Sequence, residues 1–170
     1  MNNREPSESL HPAARVSYAQ NMEDILLDRF FMDQRGTFMD IGANHPIYDN
    51  NTYFFYLRGW RGVNLEPIPR LHNLFLQHRP EDLNVAVAAS DKEMTLPFYE
   101  IPACAGLSTL SSDVANDHRR RGFQVVECQV SARTIGSLVK EHSISAPDIR
   151  ETSKPFDWPS ASKMIHVARA

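Results

Sequence analysis

Two acidic residues, Asp40 and Glu66, follow apolar segments of the kind that form strands, and their type and spacing suit ligand binding. They lie 26 residues apart, close to the interval at which a nucleotide-binding fold places its ribose-binding acid. A carboxylate at the carboxyl end of a parallel strand can accept hydrogen bonds from both vicinal ribose hydroxyls. The pattern alone fits a nucleotide-like ligand and a pair of solvated strand-end acids equally well.

The loop that follows Asp40 narrows the choice of ligand. Gly42 lets the backbone approach a ligand closely. The run GANHPI at 42–47 has one glycine and one proline, whereas a dinucleotide site needs G-x-G-x-x-G to admit the pyrophosphate. The run therefore disfavours NAD and a nicotinamide-dependent oxidoreductase. It favours a ligand without phosphates, such as S-adenosylmethionine.

Alternating strands and helices position these residues. A helix ending near Phe31 carries apolar residues at Met22, Ile25, Leu26 and Phe30. Strands are predicted at 37–41, 62–66 and 83–89, the last of them buried on both faces, with helices at 53–58 and 68–78 between them. This order predicts a parallel sheet with right-handed crossovers. Beyond it we expect antiparallel strands at 95–101 and 123–130 and helices at 111–121 and 134–142.

Composition excludes several classes of function. At 170 residues the chain is long enough for one domain, and its net charge of −3 gives no reason to expect nucleic acid as a partner. No apolar run is long enough for a membrane span or a signal peptide, so we expect a cytoplasmic protein with no membrane partner. Cys104 and Cys128 form no C-x-x-C, and His72 and His78 share no helix face, so no metal site is expected.

Seven motifs, in order along the chain, resemble those of the FkbM family of S-adenosylmethionine-dependent methyltransferases. They are YAQNMED at 18–24, FMDIGANHP at 38–46, NTY at 51–53, RGWRG at 58–62, NLEP at 64–67, AVAASD at 86–91 and GLSTL at 106–110. The resemblance implies an α/β, Rossmann-like class I methyltransferase fold with a mostly parallel sheet in the strand order 3-2-1-4-5-7-6. It also implies S-adenosylmethionine as cofactor and O-methylation of a hydroxyl on a small molecule: a sugar, a glycan or a secondary metabolite.

The resemblance also assigns cofactor-binding residues. The loop under the methionine part of the cofactor would be Asp40, Gly42, Ala43 and Asn44. Glu66 would hold the ribose with Pro67 beside the adenine, and Asp91 would approach the adenine amine. Gln20, Glu23 and Asp24 would reach the cofactor from the leading helix, or would only cap that helix.

His45 is the candidate catalytic residue. An alcohol that accepts a methyl group needs a base, because its proton becomes acidic in the transition state. A histidine, with an ordinary pKa near ~6.5, suits that task at neutral pH. The alternative is a histidine that packs or hydrogen-bonds within the turn.

The chain departs from the family after Asp148. Family members continue there with a strand similar to LKIDVEG, whereas this chain has a polar segment with Pro155 and Pro159. We expect a disordered tail at 1–15, a partial methyltransferase domain at 16–149 that lacks its C-terminal strands, and an atypical tail at 150–170. Within that tail only 164–167 could extend, as an edge strand.

Such a loss would leave the first strand at an exposed sheet edge. Two hypotheses follow: a shortened methyltransferase whose activity the truncation could impair, or a non-catalytic remnant that self-associates through the exposed edge.

Overall fold

The structure, a computed structural model, describes residues 14–32, 34–152 and 164–167, with the backbone alone described for 151–152 and 164–167. The predicted tail at 1–15 lies almost wholly outside the described residues, as does most of 150–170. The helices are α1 Glu23–Phe31, α2 Tyr53–Leu57, α3 Pro69–His78, α4 Ser112–Arg120 and α5 Ile135–Glu141. The strands are β1 Thr37–Ile41, β2 Arg61–Leu65, β3 Leu83–Val85, β4 Ala88–Ala89, β5 Met94–Glu100, β6 Val126–Arg133, β7 Ile149–Thr152 and β8 Met164–Val167.

A mostly parallel five-stranded sheet carries the candidate site. Its order is β3-β2-β1-β7-β8; the first four strands run parallel to one another, and β8 pairs antiparallel with β7. In the β1–β2 register, Asp40 lies opposite Asn64 and Ile41 opposite Leu65. The two loops that follow these strands therefore leave the same edge of the sheet side by side. The predicted α/β fold class is confirmed.

The side chains of β1 serve two packing layers. Phe38 faces α1 and α2 in a cluster with Leu27, Phe55 and Trp60, and the next residue, Met39, faces α5 on the opposite side. Successive side chains of a strand point to opposite faces, so Asp40 shares the face of Phe38. A second sheet, in the order β4-β6-β5, packs beside α3 and pairs β5 with β6 antiparallel, as predicted.

The sequence analysis predicted no strand after position 149, and this prediction is wrong. β7 pairs with β1 in parallel, with Ile149 opposite Phe38, so β1 is an interior strand. A strand needs only backbone hydrogen bonds along its length, and here the single apolar side chain of Ile149, 1% exposed, packs in the cluster around Phe38. β8 lies at the edge of the sheet, as predicted for 164–167.

The strand predicted at 83–89 is in fact two strands in two sheets. β3 belongs to the main sheet and β4 to the second sheet. Between them the amide of Val87 donates to the carbonyl of Val85 at 3.0 Å, a three-residue turn that ends the first strand. β3 is only half-buried, and the prediction of a strand buried on both faces is wrong.

The apolar face predicted for α1 is also wrong in part. Ile25 packs against the core, but Met22, Leu26 and Phe30 are exposed, and Leu27 and Phe31 are buried instead. Every helix in the described part of the chain is too short or too polar to cross a membrane.

Candidate functional site

A tight turn follows β1 and brings the backbone back over the end of β2. Gly42 has φ of 72° and Asn44 has φ of 59°, a region that glycine and asparagine adopt more readily than other residues. The amides of Gly42 and Ala43 both donate to the carbonyl of Leu65, at 2.8 and 3.1 Å. The turn is thereby fixed against the last residue of β2.

The carboxylate of Glu66 joins the loop after β1 to the loop after β2. Its Oε2 accepts the amide of Asn44 and its Oε1 accepts the amide of Ile68, both at 2.8 Å. Glu66 is buried, and hydrogen bonds to a charged acceptor in such a setting are among the stronger ones. A ligand hydroxyl would therefore have to share this carboxylate with two backbone amides.

These contacts decide which ligands the loop can take. Three successive amides, at Gly42, Ala43 and Asn44, donate to protein acceptors. A pyrophosphate is usually held by amides of such a turn that point at the ligand, and these three are already engaged. The turn at 42–44 therefore offers no free amide cradle for a pyrophosphate.

Asp40 lies beneath the loop. It is 2% exposed, and its Oδ2 accepts hydrogen bonds from the Asn50 amide group at 3.2 Å and the Thr52 hydroxyl at 3.0 Å. Asn50 Nδ2 also donates to the carbonyl of Ala43 at 3.2 Å. Asp40 therefore supports the loop from the protein interior.

The sequence analysis did not assign four of these supporting residues to the site: Asn50, Thr52, Arg79 and Asp82. Arg79 donates from Nε to Asp82 at 2.8 Å, and from Nη1 to Thr52 at 2.9 Å and Asn50 at 3.2 Å. Thr52 appeared in the sequence only as part of the NTY motif, and Asn50 precedes that motif; Asn50 accepts the amide of Tyr53 at the start of α2. Arg79 and Asp82 lie just after α3 on either side of Pro80 and Glu81, and the three-residue spacing of opposite charges was the only signal.

His45 is held by its own turn. Its Nδ1 accepts the amides of Ile47 and Tyr48, each at 3.1 Å. An amide can only donate, so Nδ1 carries the lone pair, and the neutral ring bears its hydrogen on Nε2. Burial, with His78 nearby, lowers the pKa of His45 below 6.5. The ring can act as a base in this arrangement only after it releases both amides, so its catalytic role stays a prediction.

The leading segment contacts the loop through its backbone. Asp24 is buried and accepts the Ser17 hydroxyl at 2.6 Å and the Tyr18 amide at 2.7 Å. The carbonyl of Tyr18 in turn accepts the amide of Asn50 at 2.9 Å. Glu23, the first residue of α1, accepts both the amide and the side chain of Asn21, a contact within the leading segment.

The remaining predicted residues surround the loop unequally. Gly106, in the GLSTL motif, lies beside Asn44, because a Cβ on this glycine would be 3.9 Å from Asn44 Nδ2. Pro67 is half-buried directly after Glu66. Asp91 is exposed in the turn between β4 and β5, where it accepts the Ser90 hydroxyl, and Gln20 is exposed before α1. In the described part of the chain, neither Asp91 nor Gln20 is hydrogen-bonded to the loop.

The described ranges contain no candidate metal-binding site. No three His, Cys, Asp or Glu side chains there are grouped to hold an ion.

Comparison with known proteins identifies the family. Residues 40–149 match the model of the Methyltransferase FkbM domain, well over half of the chain, and the match contains Asp40, the loop, Glu66 and Arg79. No curated protein and no solved structure shows significant similarity. The matched region begins near the end of β1 and ends at the first residue of β7. By this match, the chain belongs to the FkbM methyltransferase family.

Proposed function

We propose that the protein is an S-adenosylmethionine-dependent O-methyltransferase acting on a hydroxyl of a small molecule: a sugar, a glycan or a secondary metabolite. The observation that carries the proposal is the loop after β1 in an FkbM domain. Its three engaged amides leave no cradle for phosphates, and the carboxylate of Glu66 lies where the loop meets the end of β2.

The residues that would hold the cofactor follow from this. Glu66 would accept the ribose hydroxyls with Pro67 beside the adenine, and the loop at 42–44 would lie against the methionine part. When bound, S-adenosylmethionine supplies an electrophilic methyl group on a sulfonium.

The protein's own contribution is mainly positioning. An in-line displacement gains most from holding the acceptor oxygen in line with the bond that breaks. Asp40, Asn50 and Thr52 keep the loop rigid from below, so the loop needs little reorganisation when it binds. His45 is the residue proposed to take the acceptor's proton, and its Nδ1 can do so only after the ring releases the amides of Ile47 and Tyr48.

Calorimetry with S-adenosylmethionine tests the cofactor. We expect saturable heat with the wild type and none with NAD⁺. Glu66→Gln should bind more weakly, because its amide nitrogen would meet a backbone N–H, leaving two donors face to face. Glu81→Gln is the matched control, since Glu81 is exposed and contacts Arg61 away from the loop. No response of the wild type to millimolar S-adenosylmethionine would overturn the cofactor assignment.

The acceptor is tested separately. Methyl-deuterated S-adenosylmethionine, incubated with a panel of sugars, glycans and hydroxylated metabolites, should label an oxygen that mass spectrometry locates. Labelling of nitrogen or carbon alone would contradict O-methylation.

A further inference from the structure

A buried cation lies directly behind the loop. Arg79, immediately after α3, is 0% exposed, and its guanidinium lies over the ring of Phe38 at 5.0 Å from the centroid. A buried charge is costly unless it is paired and hydrogen-bonded. The charge of Arg79 therefore has to be balanced by partners inside the protein.

The guanidinium connects two parts of the chain. On one side its Nε donates to Asp82 at 2.8 Å, and Asp82 also accepts the amide of Gly62 at 3.0 Å in β2. On the other side Nη1 donates to Asn50 and Thr52. These two side chains bind Asp40, and Asn50 also binds the carbonyl of Ala43. Each step of this path is a hydrogen bond of 3.2 Å or less.

The acceptors around Arg79 need hydrogen-bond donors that point in two directions from one planar group. The cation serves Asp82 from Nε and the loop from Nη1, in two different directions. A lysine presents one ammonium at one point and cannot span both partners with the same geometry. Burial lowers the pKa of Arg79, and Asp82 and Asp40 act in the opposite direction. An arginine remains charged under such conditions.

We propose that Arg79 is a positioning residue. Through Asn50 and Thr52 it fixes the conformation of the segment at 42–52, which contains the cofactor loop at 42–44. The proposal rests on the proposed function in one respect, namely that this loop holds S-adenosylmethionine. Its structural half, the control of the loop by Arg79, is testable without any ligand.

Two variants interrupt the path at different points. Arg79→Lys keeps a cation between the carboxylates of Asp82 and Asp40, but removes the planar guanidinium that donates in two directions. Thr52→Val keeps the size of the side chain and the Arg79–Asp82 pair, and removes one of the two side-chain links between the guanidinium and Asp40. The second variant tests the link even if the first does not fold.

Hydrogen exchange of the ligand-free proteins is the first measurement. The amides of Asn44, Asn50 and Tyr53 are all hydrogen-bonded in the wild type. We expect them to exchange about tenfold faster in either variant, the effect of losing one hydrogen bond to a charged group. Amides of α5 serve as the internal reference and should not change.

Binding of S-adenosylmethionine is the second measurement. Each variant should raise the dissociation constant about tenfold or more, as expected when one such hydrogen bond no longer pre-orders the loop. The double variant should lose less binding free energy than the sum of the two single losses, because both groups belong to one hydrogen-bonded path. Val130→Ala, a buried position in the second sheet, is the control: it should lower thermal stability and leave loop exchange and binding unchanged.

The outcomes separate the two ideas. If the wild type does not bind S-adenosylmethionine, the proposed function fails, and exchange alone decides the role of Arg79. If loop exchange is the same in both variants as in the wild type, the positioning role is overturned. The positioning role is also overturned if Val130→Ala perturbs the loop as much as the two variants do.

Discussion

The acidic residues of the site are already hydrogen-bonded to other groups of the protein in the absence of a ligand. Glu66 holds the amides of Asn44 and Ile68, and Asp40 holds Asn50 and Thr52. A carboxylate engaged in this way has a fixed direction. The acids that the sequence marks as ligands are thus also the residues that shape the loop.

The titration of His45 gives a prediction at this scale. Its pKa is lowered in the folded protein from 6.5, so the unfolded chain takes up a proton at a higher pH than the folded protein does. The contribution of His45 to the free energy of unfolding is therefore fully present above pH 6.5. It is lost as the pH falls from that value through the lower folded pKa.

His45→Asn isolates that contribution, because an asparagine oxygen can accept the same two amides and does not titrate. Urea unfolding of both proteins from about pH 8 to about pH 5 measures it. The stability of the wild type relative to the variant should decline through this range. A difference that grows as the pH falls would contradict a lowered pKa.

The sequence revealed some of these residues and not others, for a physical reason. Asp40 and Glu66 were recognisable because an acid after an apolar strand is unusual and its position in a parallel sheet is fixed. Arg79 was not, because burial of a charge depends on partners that are distant in sequence. Asn50 lies 29 positions away from it, and no local pattern records that contact.

At the scale of elements, β1 and β2 approach each other closely at one glycine. A Cβ on Gly62 would overlap both the carbonyl oxygen and the ring of Phe38. Phe38 is 1% exposed and packs among side chains of α1, α2 and β7. The spacing of the two strands that carry Asp40 and Glu66 therefore depends on the absence of a side chain at position 62.

We expect Gly62→Ala to destabilise the protein by about 1–3 kcal/mol or more, the cost of overpacking a rigid site. Gly136→Ala is the matched control. A Cβ at Gly136 would have Thr134 Oγ1 as its neighbour at 4.0 Å, and alanine in a helix is favoured by up to about 1 kcal/mol. Urea unfolding of the two variants should give shifts of opposite sign. Equal midpoints would show that β1 and β2 can separate at little cost.

Element prediction succeeded where side chains dictate the element and failed where the backbone does. β1 and α3 carry apolar patterns that match their period, and their bounds were anticipated closely. The turn between β3 and β4 is made by a backbone hydrogen bond inside an apolar run, so periodicity alone could not place it. β7 has one buried apolar residue and is defined by its ladder with β1.

At the scale of the whole molecule, Ile149 connects the end of the matched domain to its main core. The side chain packs with Phe38, Phe55 and Trp60 beneath α1 and α2. Ile149→Ala should cost about 2–5 kcal/mol, the usual range for emptying a buried position. Ile144→Ala, at a partly buried position, should cost less. Chemical denaturation measures both, and a smaller loss at 149 than at 144 would contradict the placement of β7.

Self-association through a sheet edge remains a prediction. β1 is not that edge, since β2 and β7 flank it. The outer strands of the described sheet are β3 and β8, and an open edge can pair with a second chain. Light scattering across a range of concentrations tests this: a dimer or larger species should form on concentration, and a constant monomer mass would exclude it.

The pairing of β1 with β7 also has a consequence for synthesis. Thr37 and Asp148, which are hydrogen-bonded at this junction, are 111 positions apart. On a ribosome that adds about 5–20 residues per second, β1 could pair with β2 early. The residues of β7 would be added on the order of ten seconds after those of β1. Throughout that interval the nascent chain would contain the complete ligand loop beside an unpaired strand. Chains terminated at residue 148 should therefore aggregate more and depend more on chaperones than chains that continue through residue 170.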